Sequence, residues 1–299
     1  MKAFLATMLC VFTFGFSDLG TAAAGDLKDI QNNGVLRHLG VPYANFVNGA
    51  DEGLDVELMK LFSAEIGVRY QYVQTNWQGL IGDLIGNKVI IDGDNVKIGD
   101  KVPIRGDVIA NGLTVLASRQ KILNFSAPTF PTQVWLVAGS QSTLHPIAPS
   151  GDLQKDISKV KGLLAEKTVL GVTGTCLDPK LYDLDTVHAV SKIFEGGLNE
   201  LAPAVLKGEA ETTLLDVPDS LVALAKWPGQ IKILGPISEQ QEMAVGFRKD
   251  SPQLEGAFAE FFIKIQKDGT YSKLVKKYYP DVFYYYPEFF SQKNKATAQ

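Results

Sequence analysis

The chain has 299 residues, with 45% hydrophobic and 21% charged side chains and a formal net charge of −4. That is enough material for two ordinary globular domains. The acidic balance excludes the basic face that nucleic-acid binding needs.

Met1 and Lys2 open the chain with a positive charge, and an apolar run follows from Ala3 to Phe16. Thr21-Ala22-Ala23-Ala24 then supplies the small residues of a signal-peptidase site. This is the tripartite pattern of a cleaved secretory signal, so residues 1–24 read as a signal peptide and the mature chain begins near Gly25. The apolar run is too short to span a bilayer, and no later run is long enough to do so. Of the two cysteines, only Cys176 lies in the mature part. An internal disulfide is therefore excluded, and the exported chain must be held by core packing.

Strand and helix patterns then alternate. Val35 to Val41 reads as a strand, Leu54 to Ile66 as a helix ended by Gly67, and Arg69 to Val73 as a strand. Trp77 to Ile85 reads as a short helix stopped by Gly86, and Asp107 to Ala110 as a buried strand. This βαβαβ order implies a parallel sheet covered on both faces. Between Asn87 and Arg105 two β-like runs flank Gly93-Asp94-Asn95, which reads as an inserted hairpin. Asp92, Asp94 and Asn95 lack the full spacing and distal Glu of a calcium loop, so they read as a solvated turn.

Later strands are expected at Gln133–Ala138, Thr168–Val172, Thr212–Asp216, Ile231–Leu234 and Met243–Phe247, with a helix at Asn199–Leu206. Ser140 to Gly151 reads as loop. Ser251-Pro252 starts a helix that runs to Lys267, breaks at Gly269 and resumes to Tyr279. The aromatic tail from Tyr284 to Phe290 is expected to dock on the body, with loosely held residues after it.

No P-loop, no G-x-G-x-x-G after a strand, no H-E-x-x-H and no G-x-S-x-G is present, and the three histidines are scattered. Neither a cofactor nor a metal is indicated. The informative stretch runs from Asp107 to Pro128. A buried strand ends at Asn111-Gly112, where glycine lets a ligand approach the backbone. Thr114 adds a hydroxyl, and Arg119 follows. A guanidinium beyond the carboxyl end of a parallel strand suits a bidentate carboxylate partner.

Gly112, Thr114, Arg119, Phe125, Ser126 and Pro128 resemble the Gly-x-Thr-x-Thr-x-x-Arg and Phe-Ser-x-Pro signature of the extracellular solute-binding proteins of the amino-acid type (family 3), which serve ABC importers. Gly34 to Arg37, Gly53 to Leu58, Asn76 to Ile81 and Lys267 to Tyr271 resemble further segments of that family, in order. Leu116 stands where a second Thr is usual, and Cys176 where many relatives carry Ser or Thr.

The resemblance implies a two-lobed α/β clamshell of the periplasmic-binding-protein-like (type II) kind with two crossover strands, near Thr132–Val134 and Met243–Gly246. Residues 25–131 plus 244–299 would form lobe 1, with the hairpin at about 88–105 inserted, and 132–243 lobe 2. Arg119 would hold a ligand carboxylate, helped by Asn111, Gly112 and Thr114. Gly174 and Thr175 would offer N–H groups at a helix start, with Cys176 beside them. Asp216 would receive an ammonium; its other reading is a helix cap before Pro218 and Asp219. Tyr43, Phe46 and Trp77 would pack on the ligand side chain, or simply form core.

Arg119 and Asp216 come from different halves of the chain, so one zwitterion could reach both only on closure. The implied function is a monomeric, periplasmic binding protein, not an enzyme, that delivers an amino acid or similar small carboxylate to an ABC transporter permease. Gly40-Val41-Pro42-Tyr43 holds no acid, which points to a neutral or aromatic ligand side chain. Two alternatives stand beside it. One is a cyclohexadienyl or arogenate dehydratase-like enzyme, whose Gly-Gly-Thr-Asn-Glu type segment would fall on Val172 to Leu177, where no Glu occurs. The other is a solute-sensing partner of a membrane signalling protein.

Overall fold

A computed structural model describes residues 25–296. The expected signal peptide and the last three residues lie outside the described residues. Among the described residues no helix is long and apolar enough to cross a membrane.

The chain opens with α1 (Leu27–Asn33), absent from the sequence reading, capped by Asp26 and closed by Gly34 at φ 68°. There follow β1 (Val35–Gly40), α2 (Leu54–Glu65), β2 (Arg69–Gln74), α3 (Leu80–Ile85), β3 (Asn87–Asp92), β4 (Asn95–Lys101), β5 (Val108–Ile109), α4 (Ala117–Gln120), β6 (Leu123–Phe125) and β7 (Phe130–Thr132). Then come β8 (Val134–Gly139), α5 (Leu153–Gly162), β9 (Thr168–Gly171), β10 (Val190–Ile193), α6 (Leu201–Leu206), β11 (Thr212–Asp216), α7 (Val217–Lys226) and β12 (Ile231–Pro236). The rest is β13 (Gln241–Met243), β14 (Gly246–Arg248), α8 (Pro252–Lys267), α9 (Thr270–Tyr278), α10 (Val282–Tyr285) and α11 (Pro287–Ala296).

Two five-stranded sheets result, ordered β2-β1-β5-β14-β6 and β10-β9-β11-β8-β12. The first three strands of the first sheet are parallel, as the βαβαβ order requires, and β14 returns antiparallel to β5 and β6. In the second sheet β8 runs antiparallel to both its neighbours, so each sheet is mixed. Between the sheets β7 and β13 pair antiparallel, Phe130 opposite Met243 and Thr132 opposite Gln241. The chain thus passes twice between the two sheets through paired strands. The expected hairpin is present as β3–β4, in a two-stranded sheet of its own.

Helix α8 buries Leu254, Phe258, Phe261, Phe262 and Ile265, the one-face spacing of an amphipathic helix. Gly269 at φ 79° ends that run and opens α9. The aromatic tail docks in part: Phe290 lies 6.4 Å from the Phe130 ring and Tyr285 lies 6.1 Å from Trp135 of β8, while Tyr284 stays 83% exposed.

His38 of β1 is fully buried and needs a single tautomer. Its Nε2 faces Ala110 O at 2.7 Å, a pure acceptor, so Nε2 carries the proton and Nδ1 accepts from the Tyr70 hydroxyl at 2.8 Å. Burial pushes its pKa down to about 4. The unfolded chain therefore binds the extra proton between about pH 6.5 and 4, and this residue's contribution falls as pH falls through that window, by up to about 3 kcal/mol. His38→Gln is expected to flatten the acid limb of a stability–pH curve measured by denaturation from pH 7 to 4. An unchanged limb would contradict the assignment.

Candidate functional site

The expected binding stretch sits where β5 ends. Gly112 takes φ +54°, a left-handed turn, and its N–H donates to Asp55 Oδ2 at 2.7 Å. Asp55 is the second residue of α2, close to the positive end of that helix dipole. Burial pushes its pKa up to about 7, against the pull of the Gly112 N–H. Asn111 Oδ1 accepts from Val41 N at 2.7 Å and so ties the end of β5 to the end of β1. Thr114 bridges to Met243.

Arg119 lies on α4 and is only 3% exposed. Its Nη1 donates to Thr114 O at 2.9 Å and its Nη2 reaches Gly174 O, from the second half of the chain, at 3.4 Å. Nε is buried with no partner, and among the described residues no carboxylate stands within ion-pair distance of the guanidinium. Burial lowers its pKa, the cost of a desolvated cation. Other buried polar atoms follow the same pattern. Trp77 Nε1, Asn111 Nδ2 and Thr114 Oγ1 are also buried without a partner. Buried polar atoms are nearly always satisfied. Ten side-chain atoms buried without a partner occur among the described residues, and the four on residues singled out from the sequence are groups suited to an external partner.

Arg119 and Trp77 line a cavity of about 340 Å³. Leu113, Val172, Gly174 and Phe194 contribute to its wall, so both halves of the chain enclose it. Tyr43 stands against Trp77, edge to face at 5.3 Å. It also donates its hydroxyl to Asp216 Oδ2, joining two positions 173 residues apart.

Asp216 is fully buried at the end of β11. Its Oδ1 caps α7 through Asp219 N at 3.1 Å, and Cys176 Sγ donates to Oδ2 at 3.7 Å. The cap reading of Asp216 thus describes part of what it does. Burial raises its pKa to about 6 against those three donors. Neighbouring Asp219 is pushed well up by burial and then by the Asp216 charge. Burial also pushes the Cys176 thiol up to about 12, so it stays a neutral donor.

Several placements differ from the sequence expectation. Of the predicted residues Trp77, Arg119 and Gly174 line the cavity; Tyr43, Asn111, Gly112, Thr114, Thr175, Cys176 and Asp216 do not, and neither does Phe46. It is 1% exposed and packs among the Tyr43, Phe130 and Tyr279 rings, because the Gly112 backbone presses on its face. Gly174 and Thr175 do not start a helix. Gly174 N donates to Asp178 Oδ2 at 3.2 Å and Thr175 N to Val172 O at 3.3 Å, so the turn consumes both N–H groups internally. The helix that follows is a four-residue 3₁₀ turn, Pro179–Tyr182, capped by Asp178. Trp77 precedes α3 instead of lying within it. Sequence reading also missed Asp55 as a buried anchor, although it was visible as an acid at the second position of a helix after Gly53.

Two mixed α/β sheets joined by paired strands, with a buried guanidinium at a cavity between them, define a two-lobed solute-binding fold. The family of bacterial extracellular solute-binding proteins, family 3, matches residues 104–281, more than half of the chain, and the chain belongs to that family. Its relatives include the probable amino-acid-binding protein YxeM of Bacillus subtilis, 24% identical over 275 residues that cover 87% of this chain and 90% of that protein. A membrane-bound lytic murein transglycosylase F of Desulfosudis oleivorans is 23% identical over 230 residues, or 77% of this chain. This chain spans 44% of that relative's length.

Among solved structures, a mutant of ArgBP from T. maritima superposes with a TM-score of 0.67 at 22% identity, covering 85% of this chain and 99% of that one. An ancestral amino-acid-binding protein described as a precursor of cyclohexadienyl dehydratase gives 0.65 at 22% identity, covering 85% and 98%. At these identities the likeness is one of fold. It embraces binding proteins and the ancestor of an enzyme.

Proposed function

We propose that this protein captures a small carboxylate-bearing solute, an amino acid or a close analogue, by closing its two lobes on it, with Arg119 gripping the carboxylate. The observation that carries this reading is the Arg119 guanidinium, 3% exposed, unpaired with any carboxylate among the described residues, and set in the wall of the cavity. A desolvated cation is costly until an anion joins it, and its fork geometry favours a planar carboxylate. Thr114 and Asn111 add their unpartnered polar atoms, and Trp77 its ring and its N–H. Gly112 acts by holding the turn that lets these groups stand close together. We assign the solute's ammonium to Asp216, with the Tyr43 hydroxyl and the Cys176 thiol turning to accommodate it. Gly174 contributes its carbonyl and Thr175 the shape of the turn.

Most of the cavity wall is apolar, which suits a neutral or aromatic side chain; Glu195, next to Phe194, is the carboxylate on that wall. In this reading the protein acts as a monomer outside the cytoplasmic membrane, hands its solute to the permease of an ABC importer, and binds without turnover.

A thermal-shift screen of amino acids, 2-oxo acids and the matching amides tests this. A solute at a hundred times its Kd adds about 2.7 kcal/mol, and each kcal/mol moves Tm by roughly 2–4 °C at this size. Acids are expected to raise Tm and their amides not to. Equal shifts for acid and amide, or product release from prephenate, would contradict it.

A further inference from the structure

The β3–β4 hairpin belongs to neither large sheet, and the reading above leaves it without a task. Its base is fixed to the first half of the chain: Val102 N donates to Gly86 O at 3.0 Å and Arg105 N to Asp83 O at 2.7 Å. Lys121, two residues beyond Arg119, donates to Asp94 O at 2.7 Å and anchors the turn. From there the hairpin crosses to the second half. Asp92 Oδ1 meets Lys180 Nζ at 2.5 Å, and a Cβ built on Gly174 would lie 3.8 Å from Ile91 O. Val89, Ile90 and Ile91 of β3 line the same cavity as Arg119. Ile193 and Phe194, at and just beyond the end of edge strand β10, line it too, followed by the carboxylate Glu195. Ile90 is 61% exposed and Ile193 is 40% exposed, large apolar side chains kept at the rim. Such groups gain from covering an apolar ligand.

We infer that the hairpin is a flap that supplies the outer apolar wall of the ligand chamber, so that the solute is a carboxylate with an aliphatic or aromatic tail, and that Asp92 with Lys180 registers the flap on the far lobe. The inference rests on Arg119 as the carboxylate grip: the head group sits at Arg119 and the tail points toward Ile91 and Phe194. The Asp92–Lys180 pair is solvent-exposed on both sides, so alone it contributes little. Its part is to orient the flap, and the apolar wall carries the selectivity.

The test is calorimetric titration of the full chain with alanine, valine, leucine, phenylalanine, lysine and arginine and with the 2-oxo acids that correspond to the first four. Affinity is expected to rise along one series by at least tenfold from its smallest member to leucine or phenylalanine, or their 2-oxo counterparts. Ile91→Ser should erase about threefold to tenfold of that gain while leaving the smallest member unchanged. Lys180→Glu changes only an exposed side chain and so guards against a folding artefact. It should speed solute release about threefold, with Asp92→Lys restoring the rate in that background. A flat series, a preference for lysine or arginine, or an Ile91→Ser variant with wild-type selectivity overturns the flap while leaving the Arg119 grip standing. No binding of any acid by the wild type overturns both.

Discussion

Arg119→Gln is expected to lower affinity for a carboxylate solute by about 2–5 kcal/mol, thirtyfold or more, which is the cost of removing one partner of a buried charge pair. The same substitution should not destabilise the solute-free protein. The guanidinium is 3% exposed, its Nε has no partner, its contact to Gly174 O is long at 3.4 Å, and its one short hydrogen bond, to Thr114 O at 2.9 Å, leaves the charge without an anion. Replacing an uncompensated buried cation with a neutral amide relieves a desolvation cost. Melting curves should therefore show Tm unchanged or raised for Arg119→Gln alone, with the solute-dependent rise gone. A lowered Tm with full solute response would mean that Arg119 is a structural residue.

The second large effect is on stability and falls at Gly112. A side chain there would adopt φ +54°, and its Cβ would lie 2.5 Å from the Phe46 ring. That ring cannot swing away, because Tyr43 stacks on it at 5.9 Å while Phe130 and Tyr279 stand at 5.2 Å. The left-handed backbone costs about 1 kcal/mol for an L residue and overpacking a filled core about 1–3 kcal/mol. Gly112→Ala is thus expected to lose about 2–4 kcal/mol, or roughly 4–16 °C in Tm. Gly139→Ala serves as the control: it meets nothing within 4 Å and should change stability by less than about 0.5 kcal/mol. Thermal denaturation of both variants in the same buffer decides it.

These two residues were legible in the sequence because their signal is local. A buried run ending on Asn111-Gly112, followed by Arg119, predicts strand, turn and grip within one short segment. The strands β1 and β2 and the helices α2, α8 and α9 were readable for a similar reason, since each carries a burial period within itself, and β8, β9 and β11 because each is a short, almost continuously buried run. Helix α5 was passed over although Ile157 and Val160, its buried apolar side chains, sit at helical spacing, because lysines dilute the pattern on either side. Strand β10 has no buried residue, so no alternation announced it.

What could not be read were the contacts between distant segments. Tyr43 and Asp216 meet across 173 residues, and Asp92 meets Lys180 across 88. The role of Phe46 turned on the same limit. An aromatic near a binding loop reads alike whether it faces a ligand or supports the loop from beneath, and two rings from distant parts of the chain, Phe130 and Tyr279, place it beneath. The hairpin was foreseen as an insertion, but its position against the cavity depends on how the second half of the chain folds over it.

The most direct measurement is a binding cycle on the wild type and Arg119→Gln with one solute as the acid and as its amide. If Arg119 grips the carboxylate, each change alone weakens binding strongly and the two together cost little more than either, a coupling of at least about 2 kcal/mol. Additive losses, or an amide that binds the wild type as tightly as the acid, would show that the carboxylate is held elsewhere.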